Sequence, residues 1–335
     1  MDVVWHPAME RAEREFLTAI DQAGPYDIIM LIGLPRIGKS LVHRMVMRKI
    51  AGDPTKWGKG RLPMIFVFAS ATERSFFNSK DFFARALAEV RAPRMPWLRT
   101  DTDAEVDPYE NVKREMEEAR VEWAKLSGGK DRSEPVMRRM FEETARERGL
   151  KYFSIGQAGS MAFTQKGRDP SDHGYSLACL AEELNVVILM SGTPRVHKLW
   201  KGNAEVSGRV TKVFFQRYKP DSRPDMEHAV RLCKGLTAHL KFDPRAQPEK
   251  TMRLVYATTL ISTGLVQEFY KRANNNRIAD SADVITLNHL KQAVMTAEDL
   301  EALYEDKKLF DALTQPKKLV LPSMRNSRIR EGRAN

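Results

Sequence analysis

Residues 33–40 read Gly33-Leu34-Pro35-Arg36-Ile37-Gly38-Lys39-Ser40, a complete G-x-x-x-x-G-K-[ST] phosphate-binding pattern. An apolar run, Ile28–Ile32, precedes it and a helix-like stretch over residues 41–46 follows. In that strand–loop–helix setting, glycines let backbone N–H groups turn inward to a phosphate, and the helix N-terminus adds positive partial charge. Lys39 suits the β- and γ-phosphates, and the Ser40 hydroxyl suits Mg2+. Residues 33–41, with Leu41 in the first helical turn, are the expected nucleotide-binding set. ATP and Mg2+ are the expected cofactors.

Hydrolysis asks for more than binding. In phosphate-loop NTPases the strand beside the loop normally ends in Asp, and a Glu often follows to polarise the attacking water. The candidate strand here ends at Ile155 and runs into Gly156-Gln157. Gly156 has no carboxylate, and Gln157 can orient a water but not accept its proton. Losing one such group costs roughly 100-fold or more in rate, while binding rests on the loop. Slow turnover is one reading. The other is an acid supplied from elsewhere; Glu73, after the second apolar run, is nearest by topology but also suits a helix cap.

Two further positions lie at element ends. The run 186–190 leads into Ser191-Gly192-Thr193-Pro194, where Thr193 either lies beside a γ-phosphate or closes a polar turn. Ser207-Gly208-Arg209 precedes Val213-Phe214-Phe215, and Arg209 could reach a neighbouring subunit's nucleotide as an arginine finger. The expected catalytic set is Lys39, Gln157, Thr193 and Arg209, with Ser40 as the metal ligand.

The elements that must position these groups follow from periodicity. Short apolar runs at 28–32, 64–69, 152–155 and 186–190 alternate with helical patterns at 8–22, 76–90 and 136–148, the signature of a parallel sheet covered by helices. Val112, Met116, Ala119, Trp123 and Leu126 recur at helical steps within the charged segment 100–149. Beyond Pro220 the pattern turns helical, notably at 225–240, at 259–277 and from Thr286 onward. The expected organisation is an N-terminal helix (1–24), an α/β nucleotide-binding domain (25–220), an all-α lid (221–315) and a flexible basic tail (316–335).

Composition bounds the rest. The 335 residues are 42% hydrophobic, enough for a core, and mean hydropathy is −0.47. No run approaches the ~18 apolar residues of a membrane span, and the first residues lack a signal peptide's basic start and apolar segment. Cys179 and Cys233 lie far apart without C-x-x-C spacing, so they read as reduced thiols. A cytoplasmic protein without a membrane partner is expected. The net charge of +11 and pI near 9.6 point to a polyanionic partner.

Taken in order, these motifs resemble the TnsC/TniB family of AAA+ ATPases, the MuB-related regulators of transposon target selection. The resemblance spans roughly residues 10–295. It rests on Gly33 to Ser40, the run at Tyr152, the Thr193-Pro194 turn, Ser207-Gly208-Arg209, and Ile261-Ser262-Thr263-Gly264-Leu265, which is similar to the start of that family's lid. It implies a P-loop AAA+ sheet with a helical lid. It also implies an ATP-dependent homo-oligomer, ring or filament, on the backbone of double-stranded DNA, linking a target selector of the TniQ/TnsD type to a transposase. Where relatives carry Asp-Glu, this chain has Gly156-Gln157. A helicase-loader-like or insertion-sequence helper ATPase, a small-molecule kinase, and a non-hydrolysing nucleotide sensor are the alternatives.

Overall fold

The computed structural model describes residues 5–70, 76–95, 133–164 and 167–315, with residues 114, 117, 118 and 121. The expected helix through Met116 and Trp123, the candidate acid Glu73 and the basic segment 316–335 lie outside the described residues.

Five strands form one parallel sheet among the described residues: β1 (Ile28–Ile32), β2 (Met64–Phe68), β3 (Tyr152–Gly156), β4 (Val187–Gly192) and β5 (Val210–Phe214), in the order β2-β3-β4-β1-β5. β1 and β4 are buried throughout, which is why they read as unbroken apolar runs rather than alternating ones. On the edge strand β5, Thr211 and Lys212 face solvent. Helices packed on the sheet complete the α/β class expected from the sequence. One expectation is corrected. The strand beside β1 is β4, and β3, which ends at Gly156, lies one strand further out. Apolar runs of similar composition carry no record of their order in a sheet.

α1 (Pro7–Asp21) buries Met9, Ala12, Phe16 and Ile20 at helical spacing. α2 (Lys39–Ala51) follows the phosphate loop, and α3 (Ser79–Arg91), α4 (Glu134–Glu147), α5 (Ser171–Leu184) and α6 (Ala204–Arg209) complete the layers. Asn78 and Asn203 cap α3 and α6 by accepting from the Asp81 and Val206 amides.

α7 (Arg223–Leu236), α8 (Pro248–Thr259), α9 (Thr263–Ala279) and α10 (Leu287–Gln292) enclose a second apolar cluster that includes Leu232, Val255, Phe269 and Tyr270. Thr286 starts α10 with a reciprocal capping box to His289. α11 (Ala297–Thr314) returns to the first core through Leu303 and Phe310. The expected helix over 259–277 forms from Thr263 onward, because Leu260 and Ile261 take φ of 47° and 55° and separate it from α8. That turn aims the start of α9 at the phosphate loop, where the Gly264 N–H donates to the Arg36 carbonyl at 2.9 Å. A Cβ at residue 264 would stand 3.1 Å from both that oxygen and the Arg36 Cβ.

Gly264→Val should therefore lower stability by about 1–3 kcal/mol through overpacking, measured by urea unfolding. An unchanged midpoint would mean that the loop and α9 do not pack this tightly.

Candidate nucleotide site

The phosphate loop is pinned by its own apolar members. Leu34 and Ile37 bury their side chains in the core. Gly38, with φ of 115°, precedes α2 in a conformation that other residues rarely adopt, and a Cβ there would collide with the Met9 side chain. A glycine cap also provides no side-chain acceptor; the Leu41 and Val42 amides donate to the Gly38 carbonyl, and those of Lys39 and Ser40 suit an anion. Lys39 Nζ donates to the carbonyls of Gly33 (3.0 Å) and Leu34 (2.6 Å). Burial pushes this ammonium down to about 7, and the negative charge of Asp306 opposes that shift.

A cleft of about 480 Å³ opens over the loop at the C-terminal edge of the sheet. Pro35, Arg36, Lys39 and Ser40 form its floor, Gln157 and Ser160 come from beyond β3, and Ser191, Thr193 and Arg195 come from the end of β4. Lys39, Ser40, Gln157 and Thr193 are thus brought together. Gly33, Gly38 and Leu41 do not line the cleft. Arg209 is not part of this cleft. It ends α6 just before Val210, which pairs with Ile28 at the start of β1, so it lies at the opposite edge of the sheet from the loop. Its guanidinium pairs with Glu182 at 2.9 Å and Glu205 at 3.5 Å.

Gln157 sits in the left-handed region at φ of 55°, a strained conformation for a residue with a side chain. At Gly156 the missing acid matches the packing: a Cβ would lie 2.7 Å from Phe66 Cζ and 2.9 Å from Phe68 Cδ1. The two rings, edge-on to each other at 4.7 Å between centroids, hold the space a carboxylate would need.

Three residues of this region escaped the sequence reading. His43 of α2 is buried under the cleft, 2.9 Å from Ser191 Oγ through Nδ1 and 2.7 Å from Ser154 Oγ through Nε2, and so ties α2 to β3 and β4. Arg195 follows the Thr193-Pro194 turn directly. Asp306 reaches the cleft from α11, with Oδ1 3.0 Å from Arg195 Nε. A signal for Asp306 did exist: Leu303, Asp306 and Phe310 share one helical stripe, and all three are buried.

Mg2+ suits these donors. Among the described residues no three His, Cys, Asp or Glu side chains cluster to hold a metal, so a cation would be shared between Ser40 and the phosphate oxygens, the usual mode for Mg2+. No described helix is long and apolar enough to cross a membrane.

No family model matches the chain, and no curated protein matches it. Solved structures do. The Walker-type ATPase PABY2304 of Pyrococcus abyssi aligns with a TM-score of 0.48 and 14% identity over 90% of this chain and 89% of that one. The Aeropyrum pernix ORC2 protein gives 0.47 and 13% over 90% and 73%. The Aeropyrum pernix ORC1 protein, solved with DNA, gives 0.47 and 14% over 87% and 65%. Likeness at this level assigns no role to any residue.

The buried histidines give the fold a pH dependence. Burial pushes His43 down to about 3 and, with repulsion from His228 added, His6 down to about 4. His6 is held by Thr263 Oγ1 at 3.1 Å and by the Tyr218 hydroxyl at 2.9 Å. Below the ordinary histidine value the unfolded chain takes up protons that the folded chain refuses. Stability should therefore fall as pH drops from about 6.5 towards 4, by up to about 1.4 kcal/mol per pH unit for each histidine. Urea midpoints at pH 7.5, 6 and 5 test this, with a shallower decline expected for His43→Gln.

Proposed function

We propose that this chain is an ATP-binding AAA+ regulator that assembles on double-stranded DNA and works in transposon target selection, with hydrolysis slow. The observation that carries the nucleotide reading is the convergence of Lys39, Ser40, Gln157 and Thr193 on one cleft at the open N-terminus of α2. In that cleft the loop N–H groups and Lys39 bind the phosphates, and Lys39 exchanges two loop carbonyls for phosphate oxygens. Ser40 helps to hold Mg2+, which when bound neutralises phosphate charge. Thr193, beside the γ-phosphate position, senses its presence. Gln157 orients a water by hydrogen bonding. With Phe66 and Phe68 in the space beside Gly156, no carboxylate from β3 takes up the water's proton, so the ATP-bound state is long-lived.

Arg209 supports an oligomer. It lies at the far edge of the sheet from its own loop and is partly exposed, so the only nucleotide it could reach is a neighbour's. Nucleotide and subunit contact are then coupled, as an assembly switch requires. The charge of +11 favours a DNA backbone as the surface on which subunits assemble. The ordered set of motifs, including the Gly264 contact with the loop, favours the TnsC/TniB family, with a transposase and a TniQ/TnsD-type selector as protein partners. Release of the assembly would then fall to a partner rather than to rapid hydrolysis. A non-hydrolysing nucleotide sensor is the second reading, favoured by the aromatic packing at Gly156.

Lys39→Ala should weaken ATP binding by about tenfold or more, read by titration with a fluorescent ATP analogue. Unaltered affinity would remove the nucleotide reading. Arg209→Ala should leave binding by isolated subunits intact yet abolish ATP-dependent rings or filaments on duplex DNA in electron micrographs. Wild-type assembly should respond to ATP and a non-hydrolysable analogue but not to ADP. It should weaken with salt by a slope of about −0.9 per phosphate contact. Equal assembly in ADP would sink the switch.

A further inference from the structure

The cleft contains one carboxylate that the phosphate-loop pattern does not call for. Among the described side chains lining it, Arg36, Lys39 and Arg195 are cationic and Asp306 alone is anionic. Asp306 is 7% exposed and Arg195 is its only ion-pair partner among the described residues. The Arg195 side chain is itself 45% exposed, so it does not need a buried counter-ion. A triphosphate entering this space meets a fixed negative charge at close quarters, where low dielectric makes repulsion strong.

Two ways out exist: the helix carrying Asp306 moves aside, or a cation stands between carboxylate and phosphate. The packing of α11 decides against movement. Phe310 and Leu303 are part of the sheet's core, and Phe310 meets Phe214 edge-on at 5.9 Å. Arg217 grips both carboxylate oxygens of Asp311 at 3.0 Å, and the Tyr304 hydroxyl donates to the Ala257 carbonyl at 3.1 Å. A helix held at these points keeps Asp306 where it is. The strand end that ordinarily supplies an acid is closed by Phe66 and Phe68, so the cleft has one acid, delivered from the opposite wall.

We propose that Asp306 is the metal-side carboxylate of the nucleotide site, replacing from the C-terminal helix the acid that Gly156 lacks, and that it makes the cleft select Mg2+-complexed over metal-free triphosphate. The proposal rests on the nucleotide reading above. Mg2+ is commonly held by one or two carboxylates together with substrate phosphates, and Asp306 with Ser40 provides such a set. Arg195 acts as a positioning residue that orients the carboxylate.

Fluorescent-ATP titration of the full chain, in excess EDTA and in excess MgCl2, tests this. Wild type should bind more tightly in Mg2+ by about tenfold or more. Asp306→Asn should lose that gain while its affinity in EDTA holds or rises. Asp306→Glu should recover part of the gain, which a merely structural role would not give, and urea unfolding checks that each variant is folded. An undiminished Mg2+ gain in Asp306→Asn overturns the proposal, as does a wild type that binds equally well in both media. Tighter binding by Asp306→Asn in both media overturns it too, and would make Asp306 a phosphate mimic that nucleotide displaces. If Lys39→Ala binds like wild type, it is the nucleotide reading that fails instead.

Discussion

A half-buried ammonium is the constraint around which this molecule is arranged. Lys39 lies under the phosphate loop, holding two carbonyls of that loop, and among the described residues no carboxylate forms an ion pair with it. Partial burial without a contacting counter-ion is costly, and the downward pull on its pKa expresses that cost. The same arrangement leaves the cation ready for phosphate. A loop whose lysine were already neutralised by a touching carboxylate would have to break that pair before binding.

Everything that holds the loop therefore bears on the ligand. β1 and β4 fix its root, with the Gly33 N–H donating to the Gly192 carbonyl. Met9 of α1 lies against Gly38, and α9 presses its Gly264 onto Arg36. His6 links the start of α1 to Thr263 of α9 and to Tyr218 beyond β5. A change at the phosphates is thus one contact away from the N-terminal helix, the helical layer and the outer strand.

Much of this was legible in residue order. The octet at 33–40 keeps its chemistry because its parts are neighbours in the chain, so spacing alone specifies the turn and the helix that follows. The runs at 28–32 and 64–69 became strands because apolar residues without a polar face need burial on both sides. The turn at Leu260 and Ile261, which delays the expected helix to Thr263, is not legible locally, because the contact it serves, Gly264 against Arg36, joins segments far apart in the chain. Asp306 was missed for a related reason. Beside Lys307 and Lys308 it reads as one more charge on a solvated face; its spacing from Leu303 and Phe310 puts it on their stripe, and the packing is what shows that this stripe is buried.

By itself, the sequence determined that the chain carries a phosphate-loop pattern between a buried strand and a helix, in a sheet-and-helix protein with a strongly basic net charge. It also determined that the acid after β3 is absent. These are properties of residues adjacent in the chain, where covalent spacing already sets the geometry. The tertiary structure decided that β4, not β3, stands beside the loop, and that aromatic rings close the site of the missing acid. It likewise decided that Arg209 faces away from its own cleft, and that a carboxylate from residue 306 enters it. Those outcomes depend on how layers pack, since a buried charge such as Asp306 acquires its partner, Arg195, only when segments 111 residues apart meet with water excluded.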